Sequence, residues 1–448
     1  MIRPRNALGL GALALALAAT AGFTQRGDAA QALASLAASP PGPVGPQAVD
    51  LPAGAVLAQS AEELEALVTD PKGPAVIALA AGTHQLDLEI RRPLRLVGSR
   101  DTVLEGTGTR TVVTIEADDV KLENLGIQRS GRRHTAEDAG VKAKGARIEL
   151  RQLHVRDTLF GISLQLCPSC LVEGCHVVGR QDDPELRGDA IKLWESDHST
   201  VRGNFVEDSR DIVVWYARHV TLEDNVVTRS RYGSHFMYAH DSVVRRSKVI
   251  GNVVGIFVMY SSRVHAEDNV VAGARGAAGI GFGFKEADDV TLVGNHLVAN
   301  TTGAYLDQTP RKPGSTLLLE GNVLALNDVG LRLHGSEKGA RVAGNDFHEN
   351  AVTVQVDGGG SATGVAFDGN HFSDYEGYDL DGDGHGDVAY QQKLLSGELT
   401  DQHPALRFFH ATAAMGMIDA IAHAVPVLSA KVLMSDARPR MERVRSER

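Results

Sequence analysis

Three groups of residues in this chain carry side chains with evident chemistry. The segment Asp379-Leu380-Asp381-Gly382-Asp383-Gly384-His385-Gly386-Asp387 sets carboxylates at alternate positions around a glycine that permits a sharp turn. Alternate oxygen donors followed by glycine are the first half of a calcium loop, and the backbone carbonyl of His385 adds another hard oxygen. Tyr390 stands where an EF-hand carries its closing Glu. The expectation is therefore a calcium-like turn of Asp379, Asp381, Asp383, His385 and Asp387 outside the EF-hand pattern, set against a plain solvated acidic turn. The second group is His235, Met237 and Met259. Thioether and imidazole together form a soft donor set that suits Cu(I), although methionine also fills gaps. The third group is Cys167, Cys170 and Cys175, the only cysteines of the chain. Three within nine residues cannot frame a whole domain. A redox or metal pair at Cys167 and Cys170, with His176 as the one further ligand nearby, competes with a local disulfide.

These side chains must be positioned by a scaffold, and composition narrows the choice. The chain has 448 residues, 43% of them hydrophobic but only 5% aromatic, with 48 glycines. Enough apolar mass for a large core, held mostly in aliphatic residues and punctuated by glycine, favours a turn-rich β-architecture over a helical bundle. The net charge of −11 argues against a nucleic-acid partner.

Self-similarity then outranks length as a guide. Anchoring on Gly140, Gly161, Ala190, Ile212, Gly233, Gly255, Gly279, Gly303 and Gly330 gives spacings of 21, 29, 22, 21, 22, 24, 24 and 27 residues. Each unit holds two or three short β-branched runs separated by Gly, Asn, Asp or Ser, with no helical pattern. The fold that satisfies this is a right-handed parallel β-helix of about ten coils stacked about 4.8 Å apart. Two columns of asparagine support it: Asn204, Asn225, Asn269, Asn295, Asn322, Asn345 and Asn370 at one turn, and Asn252, Asn300 and Asn327 at another. Stacked amides satisfy buried bends, so these residues are read as structural. Cys175 occupies an asparagine position of its coil and is expected to be buried and inert.

Strand alternation after each anchor sends positions +1 and +3 inward and +2 and +4 outward. The outward pairs are Lys192/Trp194, His235/Met237, Phe257/Met259, Gly281/Gly283, Tyr305/Asp307 and Arg332/His334. Apolar groups on an outward face mark an interface or lie under a covering loop, and Trp194 and Phe257 are the candidates for partner contact. A polysaccharide lyase or epimerase would use Lys192, His235, Tyr305 and Arg332 as base and charge-neutralising groups, but Phe257 and Gly281 interrupt that column. Asp182, Asp183 and Glu185, in the insertion behind the 29-residue spacing, are the remaining place for acidic chemistry. A purely structural surface rod is the third reading.

The ends differ from the array. Arg3 and Arg5 precede the uncharged run Ala7–Phe23, and Ala19-Thr20-Ala21 offers a cleavage site, so residues 1–23 read as a secretory signal, or else an uncleaved anchor. Residues 24–57 read as a low-complexity linker and 58–390 as the β-helix, opened by a capping helix at Glu62–Val68 behind Ser60. Residues 391–448 read as a helical tail and partner arm. Leu406, Phe408, Phe409, Val427, Leu428 and Met434 supply its apolar contacts, and five arginines lie between Arg438 and Arg448. Its apolar stretch Ala411–Ala430 is interrupted by Asp419, His423 and Pro426, so no span is expected there.

The strings YGSHFMY, VGIFVMYSS, GDAIKLW, RHTAEDAGV, YEGYDLDGDGHGDVAY and PVLSAKVLMSDARPRM resemble the NosD family, the maturation proteins of nitrous oxide reductase, from about residue 58 onward. The resemblance implies a periplasmic, non-enzymatic β-helix protein docked on an ABC transporter of permease and ATPase. It further implies a role in assembling the copper–sulfide cluster of nitrous oxide reductase, with copper brought by a separate chaperone. It carries over no set of metal ligands.

Overall fold

Each coil alternates short strands with single left-handed residues. Thr200–Arg202 runs into Gly203 at φ 61°, Asn204 and Phe205–Glu207; Asp208 at φ 53° then leads to Asp211–Trp215, and Tyr216 at φ 53° opens the next coil. One left-handed residue bends the chain without a long loop, which is why Gly or Asp precedes so many of the buried asparagines. The computed structural model describes residues 44–47, 52–336, 338–393, 403–409 and 432–443, with isolated positions between 399 and 421. The expected leader at 1–23 and most of the linker lie outside the described residues.

The strands stack into three sheets of 16, 12 and 13 members, and within each sheet the neighbour is almost always three strands away in sequence. Among the described strands, all pairing is parallel apart from one antiparallel pair at the C-terminal end. In the 16-stranded sheet, 14 strands from Val56–Ala58 to Ala366–Asp368 follow one another in this way. The rod thus has about fourteen coils where the repeat suggested ten. The coils before Gly140 were missed because they lack the anchor glycine and the asparagines.

Two anchors also move. Val254 pairs with Ile280 and Ile256 with Phe282, so Gly281 rather than Gly279 aligns with Gly255. Ile191 pairs with Ile212, so Asp211 rather than Ile212 aligns with Ala190. Inside, leucine, isoleucine and valine form one continuous core, with Phe236, Phe282, Phe284, Phe347 and Phe372 fully buried.

Both ends are closed. The expected helix is present as Ala61–Thr69, Ser60 accepts from the Glu63 N–H, and Leu64 and Val68 are buried over the first coil. At the other end Phe372 stacks on Phe347 and under Tyr390, and the Gln392 amide donates to and accepts from the backbone of Val354 at 2.9 Å. A side chain thereby occupies the edge that a further strand would take.

The tail departs from expectation. Val432–Asp436 is a strand, antiparallel to Tyr390–Lys393 and bridged to Phe367 in the long sheet. Met434 is fully buried there and cannot belong to an exposed arm. Arg440 donates its backbone N–H to Asn370, while the Arg443 guanidinium holds Asp346 at 2.9 Å, so part of the basic end also belongs to the rod. Pro404–Phe409 is a 3-10 helix with Leu406 half-buried and Phe409 exposed, and the described positions 414–415, 417–418 and 421 are helical. The side chain of Phe408, and Val427 and Leu428 altogether, lie outside the described residues. Among the described residues no helix is long and apolar enough to cross a membrane.

The asparagine columns are continuous where expected. Asn269, Asn295, Asn322 and Asn345 each pass an amide N–H to the next asparagine at 2.9–3.0 Å, and Asn370 donates to the fully buried carboxylate of Asp436 at 2.8 Å. That carboxylate also accepts from the backbone N–H groups of Gly369, Asn370 and Arg438. Asp436→Ala leaves several buried donors unsatisfied and is expected to destabilise the protein by about 2–4 kcal/mol in urea unfolding. A loss under about 0.5 kcal/mol would mean that the tail strand does not complete the column.

Candidate functional site

The outward face of the 12-stranded sheet carries the chemistry that the sequence singled out. Pairing register aligns Ser163, Lys192, Val213, His235, Phe257, Gly283, Tyr305 and Arg332 in one column, and Gln165, Trp194, Trp215, Met237, Met259, Lys285, Asp307 and His334 in the next. Met237 and Met259 are direct neighbours, both half-buried. His235 lies one step along the strand, roughly 6.6 Å away and within reach of a flexible thioether. The corrected anchor replaces the expected outward pair Gly281/Gly283 by Gly283/Lys285.

His235 faces outward yet is only 7% exposed. Its ring stacks on Tyr232 at 4.7 Å, and its Nδ1 lies 3.4 Å from the buried carboxylate of Asp211. Its Nε2 is buried with no hydrogen-bond partner among the described residues. Phe257 is not presented to a partner: it is 6% exposed, and a Cβ on Gly283 would meet its ring at 2.3 Å. The ring lies down into the recess that the glycine leaves. Trp194 is half-buried beside Trp215.

The residues proposed for lyase chemistry do not converge. Lys192 is engaged by Glu137 at 2.5 Å, and Arg332 is held by Asp357 and sits over the Tyr305 ring. Val213 separates Lys192 from His235, and Phe257 and Gly283 separate His235 from Tyr305. In the insertion, Asp182 pairs with Arg180 while Glu185 is exposed at the surface.

Sequence reasoning missed Asp211, Tyr232 and Trp215. A register shift between Asp211 and Val213 hides the first two: Asp211 pairs with Tyr232 but Val213 with His235, so one extra residue sits in the second strand, while an anchor set on Ile212 instead of Asp211 hides Trp215. Arg231 grips Asp211 through Nε at 3.1 Å and Nη2 at 2.6 Å. Burial opposes the Asp211 charge, but hydrogen bonds from His235 and Arg231 outweigh it and hold the carboxyl below its ordinary range. In the preceding coil, burial and then the negative charge of Asp211 push Asp189 up to about 6.

Of the four expected carboxylates, the acidic turn gathers three. Oxygens of Asp379, Asp381 and Asp383 come within 4.8 Å of one another. Asp387 turns away to accept from the Leu380 N–H, and the His385 ring lies against Asp383. The Gly382 and Gly384 N–H groups already donate to Asp379, and Arg438 pairs with Asp383 at 3.1 Å. Cys167 and Cys170 form a disulfide, which leaves neither thiol to ligate a metal. Cys175 is buried, its thiol pushed up to about 12 by burial, and its backbone N–H donates to Asn204 as a column member would.

The architecture is that of a parallel β-solenoid of the pectin-lyase-like kind. The GH87 α-1,3-glucanase of Streptomyces thermodiastaticus strain HF3-3 superposes with a TM-score of 0.51 at 13% identity, over 72% of this chain and 70% of that one. Tailspike protein 3 of bacteriophage CBA120 gives 0.51 at 14% identity, over 72% and 56%. Within that class, residues 169–377 match the family model described as "Periplasmic copper-binding protein (NosD)". The "Probable ABC transporter binding protein NosD" of Pseudomonas aeruginosa is 29% identical over 392 residues, covering 82% of this chain and 89% of the relative. Its namesake from Stutzerimonas stutzeri is 25% identical over 408 residues, covering 85% and 90%. By the family model and by both relatives, this chain is similar to the NosD family.

The elevated Asp189 titration has a signed consequence. An unfolded carboxyl titrates near about 3.9, so the folded protein carries a cost above pH 6 that fades as pH falls toward 4. Asp189→Asn is expected to raise stability by about 1–3 kcal/mol at pH 8 and to make no difference near pH 4. Thermal melts across that range check it; a gap independent of pH would overturn the assignment.

Proposed function

We propose that this protein works in the periplasm as a non-enzymatic copper-handling partner of an ABC transporter, holding Cu(I) as cargo on the outward face at His235, Met237 and Met259. The single observation that carries the reading is the buried His235 Nε2, an imidazole nitrogen with no hydrogen-bond partner among the described residues, one strand step from two adjacent thioethers. Burying a polar atom unpaired is costly, and a soft cation coordinated there would satisfy it. The family description as a periplasmic copper-binding protein and the relatives' naming for an ABC transporter support the same reading. The destination is the copper–sulfide cluster of nitrous oxide reductase, with a copper chaperone as donor and the permease–ATPase pair as the docking platform. Trp194 and the exposed Phe409 are the remaining surface candidates for those contacts.

The Asp379, Asp381 and Asp383 turn acts in the same proposal as a calcium brace for the C-terminal cap. Its loop is sewn to the tail by the Gly386 N–H to Pro439 and the Met441 N–H to Gly384. Purified protein is expected to melt several degrees lower in chelator and to recover with Ca2+. An unchanged melt, with no calcium in the protein as isolated, would leave the turn merely solvated.

For copper, Met237→Leu with Met259→Leu keeps volume and fold but removes both soft donors. Competition against a chromophoric Cu(I) chelator is expected to show affinity falling about tenfold or more. Equal Cu(I) binding by the double variant would reject the site. Copurification of the folded variant with the permease–ATPase pair separates loss of cargo from loss of docking.

A further inference from the structure

We infer that Asp211, clamped by Arg231, is a positioning residue that holds the His235 proton on Nδ1 and leaves Nε2 as the lone pair offered to the metal. This deepens the copper reading of His235, Met237 and Met259 and rests on it. Asp211 is almost wholly buried, and its Oδ2 faces both partners, 2.6 Å from Arg231 Nη2 and 3.4 Å from His235 Nδ1, while Oδ1 accepts from Arg231 Nε at 3.1 Å. With Arg231 holding it ionised, the carboxylate can only accept hydrogen bonds, so the imidazole nitrogen facing it must carry a proton.

The opposite tautomer fails twice. It would set a lone pair on Nδ1 against a buried carboxylate, and it would bury an N–H at Nε2 where no acceptor exists among the described residues. Of the two tautomers, the Nδ1–H form alone meets both constraints, and a carboxylate behind the distal nitrogen is the arrangement that orients a ligating imidazole.

Three local features build this arrangement. The extra residue in Tyr232–Met237 displaces the register so that Asp211 pairs with Tyr232 and lies diagonal to His235, the kind of re-aiming that a bulge provides. Tyr232 stacks on the His235 ring at 4.7 Å and lies under the Arg231 guanidinium at 4.9 Å, joining the two sides of the clamp. Arg231 also neutralises the carboxylate, which would otherwise offer a hard anionic oxygen beside a soft site and favour divalent ions.

The test begins with the wild-type protein, without copper and labelled with 15N at histidine. The His235 ring is expected to show a protonated Nδ1 and an unprotonated Nε2; a protonated Nε2 would overturn the proposal outright. Asp211→Ala is expected to mix the tautomers and lower Cu(I) affinity about 10–100-fold, the range typical of second-shell loss. Asp211→Asn, whose amide can still accept from Nδ1, is expected to recover part of it. Because Asp211→Ala strands Arg231, the paired Asp211→Ala/Arg231→Met variant repeats the measurement with both charges removed, and a thermal melt confirms that each variant is folded. His235→Ala separates the two levels of inference. If it leaves Cu(I) affinity unchanged, the copper face itself is wrong. If it lowers affinity while the folded Asp211 variants retain wild-type affinity and tautomer, the positioning role is wrong.

Discussion

Every coil of this rod buries polar backbone at its bends, and the solenoid exists because each bend is satisfied by the coil above it. A parallel stack offers no water at the turn, so an unpaired amide there costs about 1–3 kcal/mol. Asparagine solves this with a donor and an acceptor on one short side chain, and the solution works only if the next coil presents its own asparagine in register. The column from Asn269 to Asn370 is therefore a constraint on alignment as much as a source of stability. Where Ser247 or Cys175 replaces asparagine, the backbone N–H still donates to the next rung, Asn269 or Asn204, so the chain of satisfaction continues.

This constraint explains what was legible in the sequence. Glycine and asparagine recur because the left-handed bend and the buried amide recur, and aliphatic residues alternate because the interior is dry. The capping helix could be read because Ser60 and the spacing of Leu64 and Val68 are local signals. The first coils fell inside the expected β-helix but outside the count, because coils such as Val76–Ile90 have neither the anchor glycine nor a column asparagine. The tail strand was hidden for a different reason. Val432–Asp436 is short and apolar, and only its distant pairing with Tyr390–Lys393 and Phe367 makes it a strand.

The candidate site was half legible. Residue type and strand parity picked out His235, Met237 and Met259 correctly as neighbours on one outward face. They could not reveal that His235 is enclosed by Tyr232 and backed by Asp211, because a one-residue register shift separates those groups from any periodic frame. Phe257 shows the complementary error: parity gave its side of the sheet, but Gly283 in the next coil decided that its ring lies flat. In a solenoid the pattern along the chain tells which way a side chain starts, and the adjacent coil tells where it ends.

The carboxylate of Asp436 closes the amide column from a strand separated from Asn370 by 66 residues. Synthesis delivers the chain from its N-terminus, so the coils are laid down in order before the strand that carries their last rung. Until then the terminal amide and the open sheet edge stay unmet, and the rod remains an incomplete template. A cut anywhere between Asn370 and Asp436 would therefore leave every coil in place yet free the strand that covers them, exposing a sheet edge open to pairing with another chain.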